Sequence, residues 1–207
     1  QQRADVVGID AAILMNPKVW EASGHLANFA DPLVECKKCH ARFRQDHIVD
    51  SMCPDCKGQN FTPTRQFNMM LKTYLGPSEE SANIVYFRPE TAQAMFVNFK
   101  NILDTNRLKL PFGIAQQGKA FRNEITPGNF IFRMREFEQM EIEYFVKESE
   151  WEKYFEHWLG EMKQWLCDLG VSDKKLHYVD IPDGERSHYS KRTVDIEYEY
   201  PFGQKEL

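Results

Sequence analysis

Between Lys119 and Phe145 apolar and polar positions alternate with a period of two, which predicts β-structure. The pattern gives two strands joined by a short turn, Thr126-Pro127-Gly128-Asn129, where Pro fixes φ and Gly or Asn tolerates positive φ. On the first strand Gly118, Ala120, Arg122 and Glu124 share a face; on the second, Arg133, Arg135, Phe137, Gln139, Glu141 and Glu143 share one. The opposite face of the second strand carries Phe132, Met134, Met140, Ile142 and Tyr144 and is expected to be core. The first face collects small residues, arginines, a phenylalanine and carboxylates. Small residues leave room over a sheet, and arginines offer paired donors to phosphate oxygens. A phenyl ring offers a stacking surface, and carboxylates can hold an ammonium group. Pattern alone leaves a second reading open, in which this is the charged, solvated outer face of an antiparallel sheet.

The periodicity elsewhere places further elements. Residues 5–14 form a short apolar run, read as a strand leading into a loop. The Pro-, Gly-, Asn- and Asp-rich stretch after it reads as an ordered loop with short helical pieces. Residues 61–75 look like one strand, and Ile84–Phe87 another. A helix comes after Arg88-Pro89, with Glu90 and Thr91 at its start and Ala92, Met95, Phe96, Phe99, Ile102 and Leu103 as its apolar stripe. A second helix is expected over roughly 150–169. Ser149 and Glu152 have capping-box spacing there, and Gly170 stands at the end. Its buried face would be Trp151, Tyr154, Phe155, Trp158, Leu159, Met162, Trp165, Leu166 and Leu169, with Cys167 a core-edge thiol. Residues 176–179 and 193–200 read as strands, the latter with Val194, Ile196, Tyr198 and Tyr200 inward. Strands adjacent in sequence, interrupted by two amphipathic helices, predict an α+β fold with a mostly antiparallel sheet. The chain stops soon after Pro201-Phe202-Gly203 without a terminal helix, which reads as a truncation.

The chain has 207 residues, enough for one large domain or one domain with an insertion, and its 42% hydrophobic and 13% aromatic content supports a substantial core. No run of 18 apolar residues and no secretory pattern at the N-terminus is seen, so neither a membrane span nor export is expected. The net charge of −5 argues against a generally basic nucleic-acid binder and leaves only a local basic surface.

Four of the five cysteines fall into two CxxC units, Cys36/Cys39 and Cys53/Cys56, separated by 13 residues. Each unit can clamp a metal through two thiolates, and Zn²⁺ takes four in a tetrahedron. Four sulfurs leave no open position, so the expected role is structural, within a knuckle insertion spanning 34–60. His40 is a weaker competing ligand, and Gly58 is expected to relieve the turn after the second knuckle. The basic segment with Arg42 and Arg44 between the knuckles could face nucleic acid or another part of the protein.

With these residues in hand, the chain resembles the catalytic core of class II aminoacyl-tRNA synthetases, and within them the homodimeric glycyl type. Phe121-Arg122-Asn123-Glu124, the turn, and Arg135-Glu136-Phe137 match the class's motif 2. The runs FRPETAQAMFVNFKN (87–101) and PFGIAQQGKAFRNEITPGNFIFRMREFEQMEIEYF (111–145) carry the closer likeness, which covers nearly the whole of 1–207. The resemblance implies ATP laid in a bent form on an antiparallel sheet. Arg122 would be the catalytic contact to the α-phosphate and Phe137 the stack under adenine. Asn123, Glu124, Phe132, Arg133, Met134, Arg135, Glu136, Glu206 and Leu207 would complete the ATP site. Glu90 and Glu141 would hold the glycine ammonium, and the family's glycine-binding set also maps onto Arg44, Phe137, Glu138, Gln139 and Met140. Of these, alternation sets Glu138 on the far face and favours Gln139 and Glu141.

The activity this resemblance implies is glycine activation and transfer to tRNA(Gly), with ATP, Mg²⁺ and structural Zn²⁺. A cytoplasmic protein that is homodimeric at full length is implied too. Motif 1, motif 3 and the anticodon-binding domain are not seen, which fits a fragment of the core. Two other functions compete: a non-catalytic synthetase-like accessory module, and a zinc-ribbon nucleic-acid binder. The retained Arg122, Glu124, Phe137, Glu90 and Glu141 argue against the first, and the acidic net charge against the second.

Overall fold

The alternating stretch becomes the central strand pair of a computed structural model that describes residues 3–80, 83–128, 131–187 and 189–207. The chain forms two units, Gln1–Phe145 and Val146–Leu207. In the first, the elements run β1 (Val6–Ile9), β2 (Leu14–Met15), α1 (Pro17–Ala22), α2 (His25–Asn28), β3 (Ala30–Glu35), β4 (Arg42–Arg44), β5 (Arg65–Asn68), β6 (Lys72–Tyr74), β7 (Ile84–Phe87), α3 (Ala92–Asn106), β8 (Phe112–Phe121) and β9 (Glu136–Phe145). They build three sheets, ordered β1-β8-β9, β2-β7-β6 and β4-β3-β5. Every pairing is antiparallel except β1 with β8. The fold is α+β, as the strand and helix order predicts.

The Pro- and Gly-rich stretch does hold short helical pieces. Asn16 Oδ1 accepts from the Lys18 N–H at 3.0 Å and Pro17 takes the first helical position, so α1 starts there. Gly24, at φ +81°, turns the chain into α2, a conformation other residues rarely adopt. The expected single strand over 61–75 is two strands in different sheets. Its middle is diverted: the Met69 N–H donates to Phe29 O at 2.9 Å, and Met69 O accepts from the Asn123 N–H at 2.8 Å.

The hairpin differs from the expected one in two respects. First, the connection is not a tight turn but the whole of 122–135. Gly128 N–H donates to Arg133 O at 2.9 Å within it, and Asn129 lies outside the described residues. Second, the core is not on the far face. The register pairs Phe112 with Phe145, Ile114 with Glu143, Gln116 with Glu141, Gly118 with Gln139 and Ala120 with Phe137, so these share the near face. There α3 packs Met95 and Ile102 onto Phe112 and Ile114, with Phe99 against Phe145 at 4.5 Å. Phe96 of the expected stripe is exposed, and Ala94 is buried in its stead. On the far face Met140 is 61% and Ile142 39% exposed, and Phe132, expected beside them, is exposed in the connection. One face of the strand pair therefore carries core at one end and charged groups along the rest.

The second unit holds α4 (Trp151–Asp168) and the antiparallel sheet β10 (Leu176–Asp180), β11 (Val194–Tyr200) and β12 (Gly203–Glu206), in that order. The Ser149–Glu152 capping box does not form. A 3-10 turn over Glu148–Glu150 moves the cap position to Glu150, which makes no side-chain cap bond. Gly170, at φ +91°, does end the helix, donating its N–H to Cys167 O at 2.9 Å. Along α4 Leu166 is buried, while Trp165 and Leu169 are exposed, contrary to expectation. β12, unforeseen in the sequence, pairs with Glu197–Tyr200 and makes β11 a central strand. Asp195 and Glu197 are half-buried, so the clean alternation is lost. Among the described residues, no helix is long and apolar enough to cross a membrane.

Candidate active site

The near face of β8 and β9 is completed by the turn before α3. Arg88, almost wholly buried, lies across β8. Its Nε donates to Lys119 O at 2.7 Å and its Nη1 to Ala11 O at 2.9 Å. Gly118 is what admits it: a Cβ there would sit 2.5 Å from Arg88 Nη2. The room that small residues leave over the sheet is thus filled by the protein's own guanidinium, which fixes the adjoining turn. In that turn Thr91 donates its N–H at 2.9 Å and its hydroxyl to the same carboxylate oxygen of Glu141.

Carboxylates gather beside it. Burial first, then the charges of Glu141 and Glu90, push Glu143 up to about 7. For Glu90, burial works upward but is outweighed. Hydrogen bonds from His25 and Gln93, and the charges of His25 and Arg122, hold it below the usual carboxylate range. Among the described residues the buried Oε1 atoms of Gln93 and Gln139 have no hydrogen-bond partner. Two orphan acceptors beside three carboxylates suit this end of the face to a donor carrying positive charge.

Arg122 stands at the other end. Its Nε donates to Pro89 O at 3.1 Å, and its guanidinium lies over the Phe137 ring at 5.2 Å and the Phe29 ring at 5.5 Å. The loop beyond is stitched to itself. Arg122 N–H donates to Arg135 O at 3.0 Å, and the Arg135 side chain donates twice to Glu124 O, at 3.0 and 3.2 Å. Buried Glu124 takes Arg133 at 3.2 Å. Arg44 pairs with Asp46 at 2.7 Å and Asp31 at 2.9 Å. The Asp46 hydrogen bond, then the charges of Asp31, Asp46 and Glu124, hold it above its ordinary value, so β4 brings it toward the same loop.

Phe137, Gln139 and Glu141 therefore share the near face with Glu143, and Glu90, Arg122, Asn123 and Glu124 surround it. Glu136, Glu138 and Met140 take the far-face positions. Lys119 lies 3.3 Å from Glu136 and 3.7 Å from Glu138. Glu206 and Leu207 belong to the second unit, where Leu207 N–H donates to Ile196 O at 3.0 Å. Sequence pattern assigned no site role to His25, Phe29, Arg88 or Thr91, and marked Glu143 only as one of the carboxylates on the face. Glu143 was visible by alternation. His25 and Phe29 sit in a loop-like stretch whose pattern carries no signal.

The four cysteine sulfurs lie within 4.8 Å of one another, with Cys36–Cys56 and Cys39–Cys53 both at 3.6 Å. A ZnS₄ tetrahedron with Zn–S bonds of about 2.3 Å has S–S edges of about 3.8 Å, so the set fits that ion. The backbone N–H of Cys39, then that of Lys38, draws the Cys36 thiol down to about 6. His40 instead contacts Glu35 at 3.1 Å, as does Arg42 at 3.0 Å. Gly58 has no left-handed φ. A Cβ there would lie 3.3 Å from Cys56 Sγ, and Lys57, at φ +59°, makes the turn. Thr126 Oγ1 donates to Arg42 O at 3.2 Å, tying the 122–135 loop to the knuckle sheet.

An antiparallel sheet face bearing a motif of this form defines a class of protein. Residues 74–205 match the tRNA synthetase class II core domain (G, H, P, S and T), and the chain belongs to that family. Within it, the glycine–tRNA ligase of Geobacillus thermodenitrificans is 52% identical over the whole chain and 50% of its own length. Those of Alkaliphilus oremlandii and Treponema denticola are 49% and 51% identical, again over the whole chain, which covers 51% and 47% of them. The chain spans about half the length of the curated relatives it matches.

Proposed function

We propose that this core activates glycine with ATP and passes it to tRNA(Gly), as the names of its relatives suggest. The observation that carries the reading is that Glu141, Glu143 and the orphan amide oxygen of Gln139 share one sheet face with Glu90 close enough to act on Glu143, while Arg122 lies over the Phe29 and Phe137 rings at the other end.

The glycine ammonium binds Glu90 and Glu141, with Gln139 Oε1 as a further acceptor and Glu143 giving up its proton as the cation arrives. The substrate carboxylate oxygen then attacks the α-phosphorus of MgATP. The bond to the bridging oxygen breaks and pyrophosphate leaves. No protein nucleophile is needed; catalysis is positioning and charge neutralisation. Arg122, anchored through Nε, presents its terminal nitrogens to the α-phosphate, and Phe137 supports adenine. Asn123, Glu124 and residues 132–136 complete the nucleotide site. Arg44, paired with Asp31 and Asp46, is assigned to the substrate by the resemblance alone. The adenylate carbonyl is then attacked by the tRNA terminal hydroxyl, and AMP leaves. Selecting glycine is a matter of exclusion: carboxylates packed around the α-carbon leave no volume for a side chain, and one forced in would leave charges unpaired. Residues 34–60 form a knuckle insertion in which the four cysteines hold one structural Zn²⁺. The parent protein is a cytoplasmic homodimer.

Amino-acid-dependent ATP–pyrophosphate exchange tests this, comparing glycine, alanine and serine. Exchange with glycine alone is expected. A folded, zinc-loaded protein that exchanges with none of them overturns the reading and makes the core a non-catalytic binding module.

A further inference from the structure

We propose that His25 is a positioning residue of the amino-acid site, holding the Glu90 carboxylate ionised and fixed in direction for the substrate ammonium. This rests on Glu90 as the ammonium ligand.

His25 opens α2, and its backbone is pinned: Asn68 Nδ2 donates to His25 O at 3.1 Å. Its ring stands edge-on to buried Trp20, with 5.4 Å between centroids, and against Phe29 at the same distance. Only 12% of the side chain is exposed. Both ring nitrogens are engaged. Nδ1 lies 2.8 Å from Ser23 Oγ, and Nε2 lies 3.5 Å from Glu90 Oε1.

These partners fix the proton placement. A nitrogen facing a carboxylate has to carry hydrogen, so Nε2 is protonated. Ser23 then either donates its hydroxyl to Nδ1, leaving the ring neutral, or accepts from Nδ1–H of an imidazolium while donating to Trp20 O at 3.4 Å. In both forms Nε2–H points to Glu90. The groups facing Glu90 are His25 from α2, Gln93 from α3, Arg122 from the loop after β8, and Glu143 with its neighbour Glu141 from β9. Burial opposes its ionisation; His25, Gln93 and Arg122 support it. Phe29 also lies under Arg122. The short α1–α2 segment thereby backs the amino-acid end and the phosphate end of the site together.

The variants His25→Asn, His25→Gln and Ser23→Ala, made in the whole zinc-loaded protein, separate positioning from packing. Asn can keep the Ser23 contact but has no donor where Nε2 stands; the Gln amide reaches that point. His25→Asn is expected to raise KM for glycine ~10- to 100-fold with KM for ATP unchanged. It should also move the acid limb of kcat/KM for glycine to higher pH. His25→Gln should restore most of the affinity, and Ser23→Ala should raise KM a few-fold. Equal loss of glycine and ATP affinity that His25→Gln does not recover would make His25 a packing residue and overturn the proposal. So would a folded His25→Asn with unchanged glycine KM; if that variant does not fold, His25→Gln and Ser23→Ala decide by the same criteria. An activity-independent readout is the Glu90 carboxyl titration by ¹³C NMR, assigned with Glu90→Gln. A rise in His25→Asn supports the positioning role, and no change refutes it. Absence of glycine-dependent exchange in the parent would instead refute the glycine reading and leave that titration to decide His25.

Discussion

Glu143 shows how much one side chain's surroundings decide. Alternation sets it on the charged face, but its burial beside Glu141 and Glu90 pushes its carboxyl up to about 7, so near neutrality the folded protein keeps a proton that the unfolded chain releases around 4.5. The stability associated with the protonated form is fully present below about 4.5 and is lost as pH rises through 7. Melting temperature is therefore expected to fall between pH 5 and 7.5, and Glu143→Gln should flatten that slope in calorimetry; an unchanged slope would remove Glu143 as its source. Arg122→Ala should lower glycine-dependent exchange by ~100-fold or more while circular dichroism stays native, because the lost donor acts on charge developing at the α-phosphate. The motif pointed to Arg122 in the sequence. Its seat between Phe29 and Phe137 was not visible, because the two rings come from segments more than a hundred residues apart.

Among the elements, β8 and β9 were predicted as partners, and the registered pairs bear this out. Alternation tells which residues share a face; it does not tell which face another element covers. The far face carrying Met140 and Ile142 looked like core by composition, yet α3 packs on the face that also bears the carboxylates. A strand has only two sides, and an apolar side becomes core only when something lies on it. Gly118 ties the elements together by holding room for Arg88. Gly118→Ala should force that guanidinium aside and destabilise the fold by about 1–3 kcal/mol. Because Arg88 fixes the turn that presents Glu90 and Thr91, the same change should raise KM for glycine. Urea unfolding and exchange kinetics measure the two effects; a neutral variant would mean that Arg88 moves without consequence.

At the scale of the molecule, the first unit is held together by contacts between distant loops. The 122–135 loop is fastened to the knuckle sheet by Thr126 on Arg42 O and to the β5–β6 connection by Asn123 on Met69 O. Loss of zinc from the four-cysteine cluster should therefore reach the nucleotide loop. One zinc per chain is expected by elemental analysis. Chelation or Cys53→Ser should lower the melting temperature and speed hydrogen exchange in 122–135, whereas exchange confined to 36–61 would show that the knuckle is not coupled to the site.

The sequence by itself determined the α+β class, the two CxxC clamps, and the set of charged residues at strand and turn positions, since these depend on local period, spacing and side-chain chemistry. The tertiary structure alone decided that Arg88 fills the space over Gly118 and that residues 61–75 break into two strands. It alone decided that His25 backs Glu90 and that three carboxylates meet closely enough to shift one another. Those features arise where segments far apart in the chain approach within a few ångströms, and no local pattern records that approach.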